Sequence, residues 1–347
     1  MKPEIRTYDV SDGFSLKFRH YKAAVQQNAS ADSSADNVSS ADNVSSADNV
    51  SSADNVSLTD NVSSADNASS ADNACQHPSL PPRGVVIAVH GIQSHSGWYT
   101  DSSLAMANSG WDVYFADRRG SGLNGQNRGH ADHALRLLND LKQLIHLAKH
   151  EHPRRPIVLL GLSWGGKLAS AFAAMNADLI QRLILLYPAT DSFVGPNLWN
   201  RMLLRFAKHH DIRKRLIALP FTDARCFTNQ SEFQSRIEND PLALNAVTTG
   251  FLNSTRDLDQ IVHQHQDKIT LPTLLMLAQG DRIVNNKKVK QRIASWPVTD
   301  LSTIEYAAAE HTLEFCSQRL TFFQDLAYWL NRSVPTDAVQ VSEAANQ

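Results

Sequence analysis

The run IVLLGLSWGGKLASAFAAM, residues 157–175, constrains this chain more than any other. Ile157–Leu160 is a short unbroken apolar stretch and reads as a buried strand. Lys167–Asn176, rich in alanine, reads as a helix. Between them stands Gly161-Leu-Ser-Trp-Gly-Gly166. Glycines at 161 and 165 leave room for a sharp, strained turn, and Gly166 lets the helix pack closely. Ser163 is then presented at the carboxyl end of the strand, where the first amides of the helix favour developing negative charge. A serine hydroxyl is a weak nucleophile until a base takes its proton. The bland alternative is a small residue in a strand–helix turn, so the rest of the chain must supply the base.

Strands and helices alternate from residue 83 onward. Strands are expected at Val85–Val89, 112–117, Ile157–Leu160, Leu183–Tyr187, 273–278 and 302–306. Helices are expected at Trp98–Ser109, 133–151, Lys167–Asn176, 286–295 and 318–331. In the second helix Leu137, Leu138, Leu141, Leu144, Ile145 and Ala148 recur at helical spacing, and Pro153 and Pro156 stop it. Repeated β–α–β units imply an α/β fold: a mostly parallel sheet flanked by helices. Residues 1–25 form a hairpin turning at Asp12-Gly13, which adds a mixed edge to that sheet.

Two segments break the rhythm. Residues 26–82 carry a hexapeptide repeat in which Asp recurs every six residues from Asp36 to Asp72, with no aromatic residue. Such a composition cannot bury enough apolar surface to offset its ordering entropy, so a disordered loop insertion is expected. A β-solenoid is the competing reading, weakened by the single small valine per repeat. Residues 190–270 read as a helical lid between two strands. Leu198, Met202 and Phe206, with Trp199 and Leu203 beside them, form an apolar stripe amid six basic residues from Gly195 to Pro220. The stripe either packs on the sheet domain or meets lipid, and the two readings are compatible. Residues 333–347 are expected to be a disordered tail.

Charge and cysteine content narrow the function classes. Residues 26–80 hold eight Asp and no Lys or Arg, leaving 33 basic against 27 acidic residues elsewhere. That mild excess is far from a nucleic-acid footprint. Cys75, Cys226 and Cys316 are odd in number and scattered, which suits a reducing compartment. No secretory signal or membrane-length apolar run is visible, so a cytoplasmic location is expected. The histidines of His130-Ala-Asp132-His133 and His263-Gln-His265 lack a third ligand group at zinc spacing. No dinucleotide or phosphate loop follows a strand, so neither metal nor cofactor is expected.

Four motifs carry a family resemblance: VHGIQSHSGWY (89–99), DRRGSGLNGQNRGH (117–130), GLSWGG (161–166), and GDRIV with EHTLEF (280–284 and 310–315). With these the chain resembles the α/β-hydrolase superfamily, and within it the monoacylglycerol lipase/lysophospholipase-like group, also described as the serine aminopeptidase S33 domain. The resemblance covers about 83–331 and the first hairpin. The group's usual nucleophile motif resembles Gly-His-Ser-Met-Gly-Gly, so Leu162 and Trp164 depart from it. Such hydrolases run Ser, acid, His along the chain. Ser163 is then the nucleophile. Asp281, directly after the TLLMLAQG strand, is the acid in preference to Glu310 or Glu305. His311, the one histidine beyond Asp281, is the base. The oxyanion hole is expected from the backbone amides of Trp164 and, by likeness to the group's His-Gly-x motif, Ile92.

The Trp164 ring either walls the acyl pocket or packs in the core. His90 and Gly91 shape their loop. Asp117, Arg118 and Arg119 form an ion-pair cluster or bind a polar head group. The resemblance implies a serine hydrolase of carboxylic esters, of lipid-like or monoacyl type. An aminopeptidase or acyltransferase on the same triad is the alternative, and a non-catalytic binding module a weaker one. The implied partner is a small ester, with transient lipid contact through the lid and no obligate protein partner.

Overall fold

Five apolar runs of this chain are strands with every residue buried: β3 (Gly84–Val89), β4 (Trp111–Ala116), β5 (Ile157–Leu162), β6 (Arg182–Leu186) and β9 (Thr273–Ala278). Burial on both faces is what a parallel sheet between helix layers demands. The computed structural model describes residues 2–24, 81–193, 213–220 and 223–332. The expected repeat over 26–80, the apolar stripe at 198–206 and the tail at 333–347 lie outside them. Among the described residues, an eight-stranded sheet runs β1-β2-β4-β3-β5-β6-β9-β10, with β1 Glu4–Asp9, β2 Ser15–Tyr21 and β10 Leu301–Tyr306. β1 and β2 pair antiparallel, β2 joins β4 antiparallel, and the rest are parallel. This is the α/β-hydrolase architecture. Strands β1, β2 and β10, at the two sides of the sheet, are partly exposed and carry polar side chains.

The α-helices among the described residues are α1 (Thr100–Asn108), α2 (Ala134–Glu151), α3 (Trp164–Met175), α4 (Ser231–Glu238), α5 (Thr249–His265), α6 (Asn286–Ala294) and α7 (Arg319–Asn331). No helix among the described residues is long and apolar enough to cross a membrane. The ends of the described chain flanking 26–80 meet one turn, because Ala24 N donates to Ala107 O (2.9 Å) and Arg83 N to Gly110 O (2.8 Å).

Two expectations need correction. α3 begins at Trp164, not Lys167. Glycine is unfavourable inside a helix, so the sequence pushes the start past Gly166, yet the first turn needs both glycines because position 165 is pressed on Val89 O at the end of β3 and position 166 on Pro188. The 190–270 segment is also not wholly helical: β7 (Leu216–Ala218) and β8 (Ala246–Thr248) pair as a two-stranded antiparallel ribbon. Three-residue strands are too short to declare a period of two. α5, at the end of the same segment, packs along α3 and so belongs to the layer covering the sheet.

Candidate active site

Ser163 sits between the last residue of β5 and the first of α3, with φ 51° and ψ −117°. A non-glycine residue held there is strained, and surrounding bonds must hold it. Ser163 N donates to Leu186 O (2.9 Å), and Ser163 O accepts from Gly166 N (2.9 Å) and Ala189 N (2.8 Å). A Cβ on Gly165 would stand 2.2 Å from Val89 O, and one on Gly161 would stand 2.6 Å from Gly165 O. Close approach of backbone to backbone is therefore what makes the turn possible. A serine before a helix commonly caps it. Here the Ser163 side chain makes no such bond, which leaves Oγ for another partner.

That partner is His311. Its Nε2 lies 2.8 Å from Ser163 Oγ, and its Nδ1 lies 2.7 Å from Asp281 Oδ2. The other Asp281 oxygen accepts from Ile283 N (2.8 Å) and Val284 N (2.9 Å), so the carboxylate is held from both sides. All three residues are buried. The His311 ring meets Tyr187 and Phe227 edge-on, with centroids 4.8 and 5.9 Å away. Glu310, the rival acid, instead accepts from Asn229 N (3.2 Å) at the surface, and Glu305 pairs with Lys290 (2.6 Å).

The loop after β3 lies against the serine: a Cβ on Gly91 would be 3.3 Å from Ser163 Cβ. Ile92 follows, half-buried. His90 orders this loop. Its Nε2 accepts from Arg118 N (3.2 Å), so Nδ1 carries the proton and donates to Gly91 O (2.8 Å). Burial holds the imidazole well below its usual value, so the ring is neutral. A serine hydroxyl on a strained elbow, an imidazole in hydrogen-bond reach, a carboxylate behind it and an adjacent loop form an arrangement of the kind that acyl transfer uses.

The sequence profile described as serine aminopeptidase, S33, matches residues 80–315. The chain belongs to that family. A monoacylglycerol lipase of Mycolicibacterium smegmatis is 25% identical over 257 residues, spanning 73% of this chain and 90% of that one. The monoglyceride lipase of Rattus norvegicus is 24% identical over 68% of this chain and 78% of its own. Among solved structures, a monoacylglycerol lipase of Paleococcus ferrophilus superposes with TM-score 0.65 at 22% identity, covering 72% of this chain and 95% of that chain. A soluble variant of the Saccharomyces cerevisiae monoglyceride lipase gives TM-score 0.71 at 16% identity, covering 95% and 96%.

In this S33 hydrolase the Trp164 ring is a packing residue. It is buried, lies 4.8 Å from Phe251 of α5, and donates Nε1–H to Thr255 Oγ1 (2.9 Å). The DRRG cluster divides. Arg119 is bidentate to Asp140 (2.9 and 2.7 Å) and reaches Asp12 (3.1 Å). Asp117 accepts from Ser96 N (2.7 Å) and Leu123 N (2.9 Å). Both are structural. Arg118, although buried, has no carboxylate partner among the described residues. Of the histidines weighed for metal, His130 bonds Thr248 and Asp132 (both 2.9 Å), and His133 caps α2.

Contacts invisible in the sequence tie the 190–270 segment to the site. Thr312 N, next to His311, donates to Phe227 O (2.9 Å), and Leu244 N donates to Gln93 O (2.9 Å). Asp240 accepts from His95 Nε2 (2.8 Å) and from the Trp98 indole.

Glu314, three residues after His311, is buried. One of its oxygens accepts from Asp101 N (3.1 Å) and Ser102 N (3.0 Å) in the first turn of α1, whose N-cap residue Tyr99 makes no side-chain capping bond. The other oxygen has no partner among the described residues. Burial pushes this carboxyl up to about 7, against the pull of the helix amides. A carboxyl whose pKa is higher folded than unfolded adds stability that is full below its unfolded value and is lost as pH rises through the folded one. Glu314→Gln keeps an acceptor for α1 without the charge. It is therefore expected to be more stable than the parent at pH 8.5, by about 3 kcal/mol at most, with no gain at pH 4.5. Thermal melts at both pH values check this. A loss at pH 8.5 would mean that attraction to the helix terminus outweighs burial.

Proposed function

We propose that this chain hydrolyses carboxylic esters of small lipids, monoacylglycerols foremost, through an acyl-enzyme on Ser163. The observation that carries the reading is the 2.8 Å approach of His311 Nε2 to Ser163 Oγ, with Asp281 2.7 Å behind the ring. His311 takes the Ser163 proton as Oγ attacks the ester carbonyl, and returns it to the leaving alcohol oxygen. Water, deprotonated by the same imidazole, then attacks the acyl-enzyme and releases the acid and Ser163. Asp281 keeps the Nδ1 proton in place and stabilises the imidazolium. The amides of Ile92 and Trp164 receive the oxyanion.

The lipid class is supported by the names of the relatives and by the basic, apolar sequence at 195–220, which we read as the stretch that meets substrate aggregates. A fluorophosphonate probe followed by peptide mass spectrometry tests the nucleophile, and a panel of monoacylglycerols, p-nitrophenyl esters and aminoacyl amides tests the class. The expected result is one adduct, on Ser163, with monoacylglycerols turned over and amides left intact. Folded protein that takes no label, or cleaves the amides in preference, would overturn the proposal.

A further inference from the structure

Arg118 is a buried charge beside the catalytic loop that the mechanism above leaves unused. It is 4% exposed. Its Nη2 donates to Gly91 O (3.3 Å) and to Ile92 O. Its Nε and Nη1 have no partner among the described residues. The guanidinium carbon sits 5.0 Å from the Trp164 ring centroid and 4.9 Å from that of Phe251, a cation over two aromatic faces. Arg119 next to it has two carboxylates. Among the described residues Arg118 has no carboxylate in ion-pair contact, and burial lowers its pKa to about 9, although the charge of neighbouring Asp117 acts on it.

The peptide between Gly91 and Ile92 is what this cation holds. In a trans peptide the carbonyl oxygen and the amide hydrogen point in opposite directions. Gly91 O is occupied by two donors, His90 Nδ1 (2.8 Å) and Arg118 Nη2 (3.3 Å). The Ile92 N–H of the same peptide is thereby turned away from Arg118. Gly91 itself lies against Ser163. Hydrogen bonds to the carbonyl also polarise the amide and strengthen its N–H as a donor.

We propose that Arg118 is a positioning residue of the oxyanion hole. It locks the Gly91–Ile92 peptide so that the Ile92 N–H faces the reacting carbonyl, and it places a buried guanidinium without an ion-pair partner among the described residues behind that donor. The assignment rests on the acyl-enzyme reading above. It gives Arg118, the second residue of DRRG, a role distinct from the structural Asp117 and Arg119 flanking it.

The test is steady-state hydrolysis of p-nitrophenyl butyrate by Arg118→Met and Arg118→Lys, with inhibition by an aryl trifluoromethyl ketone, whose tetrahedral adduct places an oxyanion in the hole. Losing a whole oxyanion donor typically costs about 10²–10³-fold. Misaligning one is expected to cost Arg118→Met about 10- to 100-fold in kcat with KM within about twofold. The ketone should weaken by the factor lost in kcat/KM. The melting temperature should hold or rise, because methionine removes an unpaired buried charge. Arg118→Lys should recover part of kcat, and it carries the test if the methionine variant does not fold.

Full activity in Arg118→Met overturns the assignment. So does parallel loss of activity and melting temperature in both variants, the mark of a merely structural residue. Ser163→Ala in the same assay separates the two readings. Turnover surviving in Ser163→Ala overturns the acyl-enzyme reading and this one with it. An inactive Ser163→Ala beside a fully active Arg118→Met overturns the Arg118 assignment alone.

Discussion

Ser163→Ala is expected to lower kcat for p-nitrophenyl ester hydrolysis by about 10⁵- to 10⁶-fold, to near the uncatalysed background. On the proposed acyl-enzyme mechanism the loss is that large because the three side chains act as a unit. Without Oγ, His311 Nε2 has no proton to take across its 2.8 Å contact, and the Asp281 bond behind it orients an idle ring. The fold should survive. Alanine keeps the backbone bonds to Leu186, Gly166 and Ala189, and the lost side-chain bond is worth about 1 kcal/mol. Absorbance assays on purified variant with a matched melting curve check both halves. More than a tenth of parent activity would remove Ser163 from the chemistry.

Gly165→Ala is expected to be the most damaging of the conservative changes to the fold. Its Cβ would stand 2.2 Å from Val89 O and 2.7 Å from His90 O, both backbone atoms. No rotamer relieves such a clash, so β3 and α3 must separate, at about 3 kcal/mol or more. For a domain of this size that lowers the melting temperature by about 6–12 °C, or leaves the protein insoluble. Activity should fall with it, because the loop that moves carries His90 and Gly91. Gly125→Ala is the control: nothing lies within 4 Å of its Cβ, so its melting temperature should match the parent. Equal melting temperatures for both variants would refute the packing argument.

The elements that could be read from the sequence are those whose cause is local. β3, β5, β6 and β9 are apolar runs bounded by breakers, and each lies within a residue or two of its expected place. The first turn of α3 was harder, because Gly165 and Gly166 look like helix breakers until Val89 and Pro188 are seen crowding them. The β7–β8 ribbon was missed because each strand exists only through the other. Leu216 and Thr248, paired across it, are far apart in the chain and carry no mutual signal.

The sequence alone determined the order of the eight main-sheet strands and the placement of Ser163 between a strand and a helix, but not the β7–β8 ribbon. Both follow from local patterning, whereas the room for the turn depends on Val89 and His90, distant in the chain. The preference for Asp281 over Glu310 comes from chain order, and the tertiary structure supplies the contact itself, with Asp281 on the imidazole and Glu310 turned to Asn229 N. The tertiary structure also decided that the Trp164 ring packs against α5, that Glu314 caps α1, and that Arg118, unlike Arg119, has no carboxylate in contact among the described residues. The reason is common to all of them. Each rests on atoms brought together from distant elements, as Ser163 and His311 are across 148 positions of chain. A side chain's desolvation and partners belong to that assembly and not to the residue.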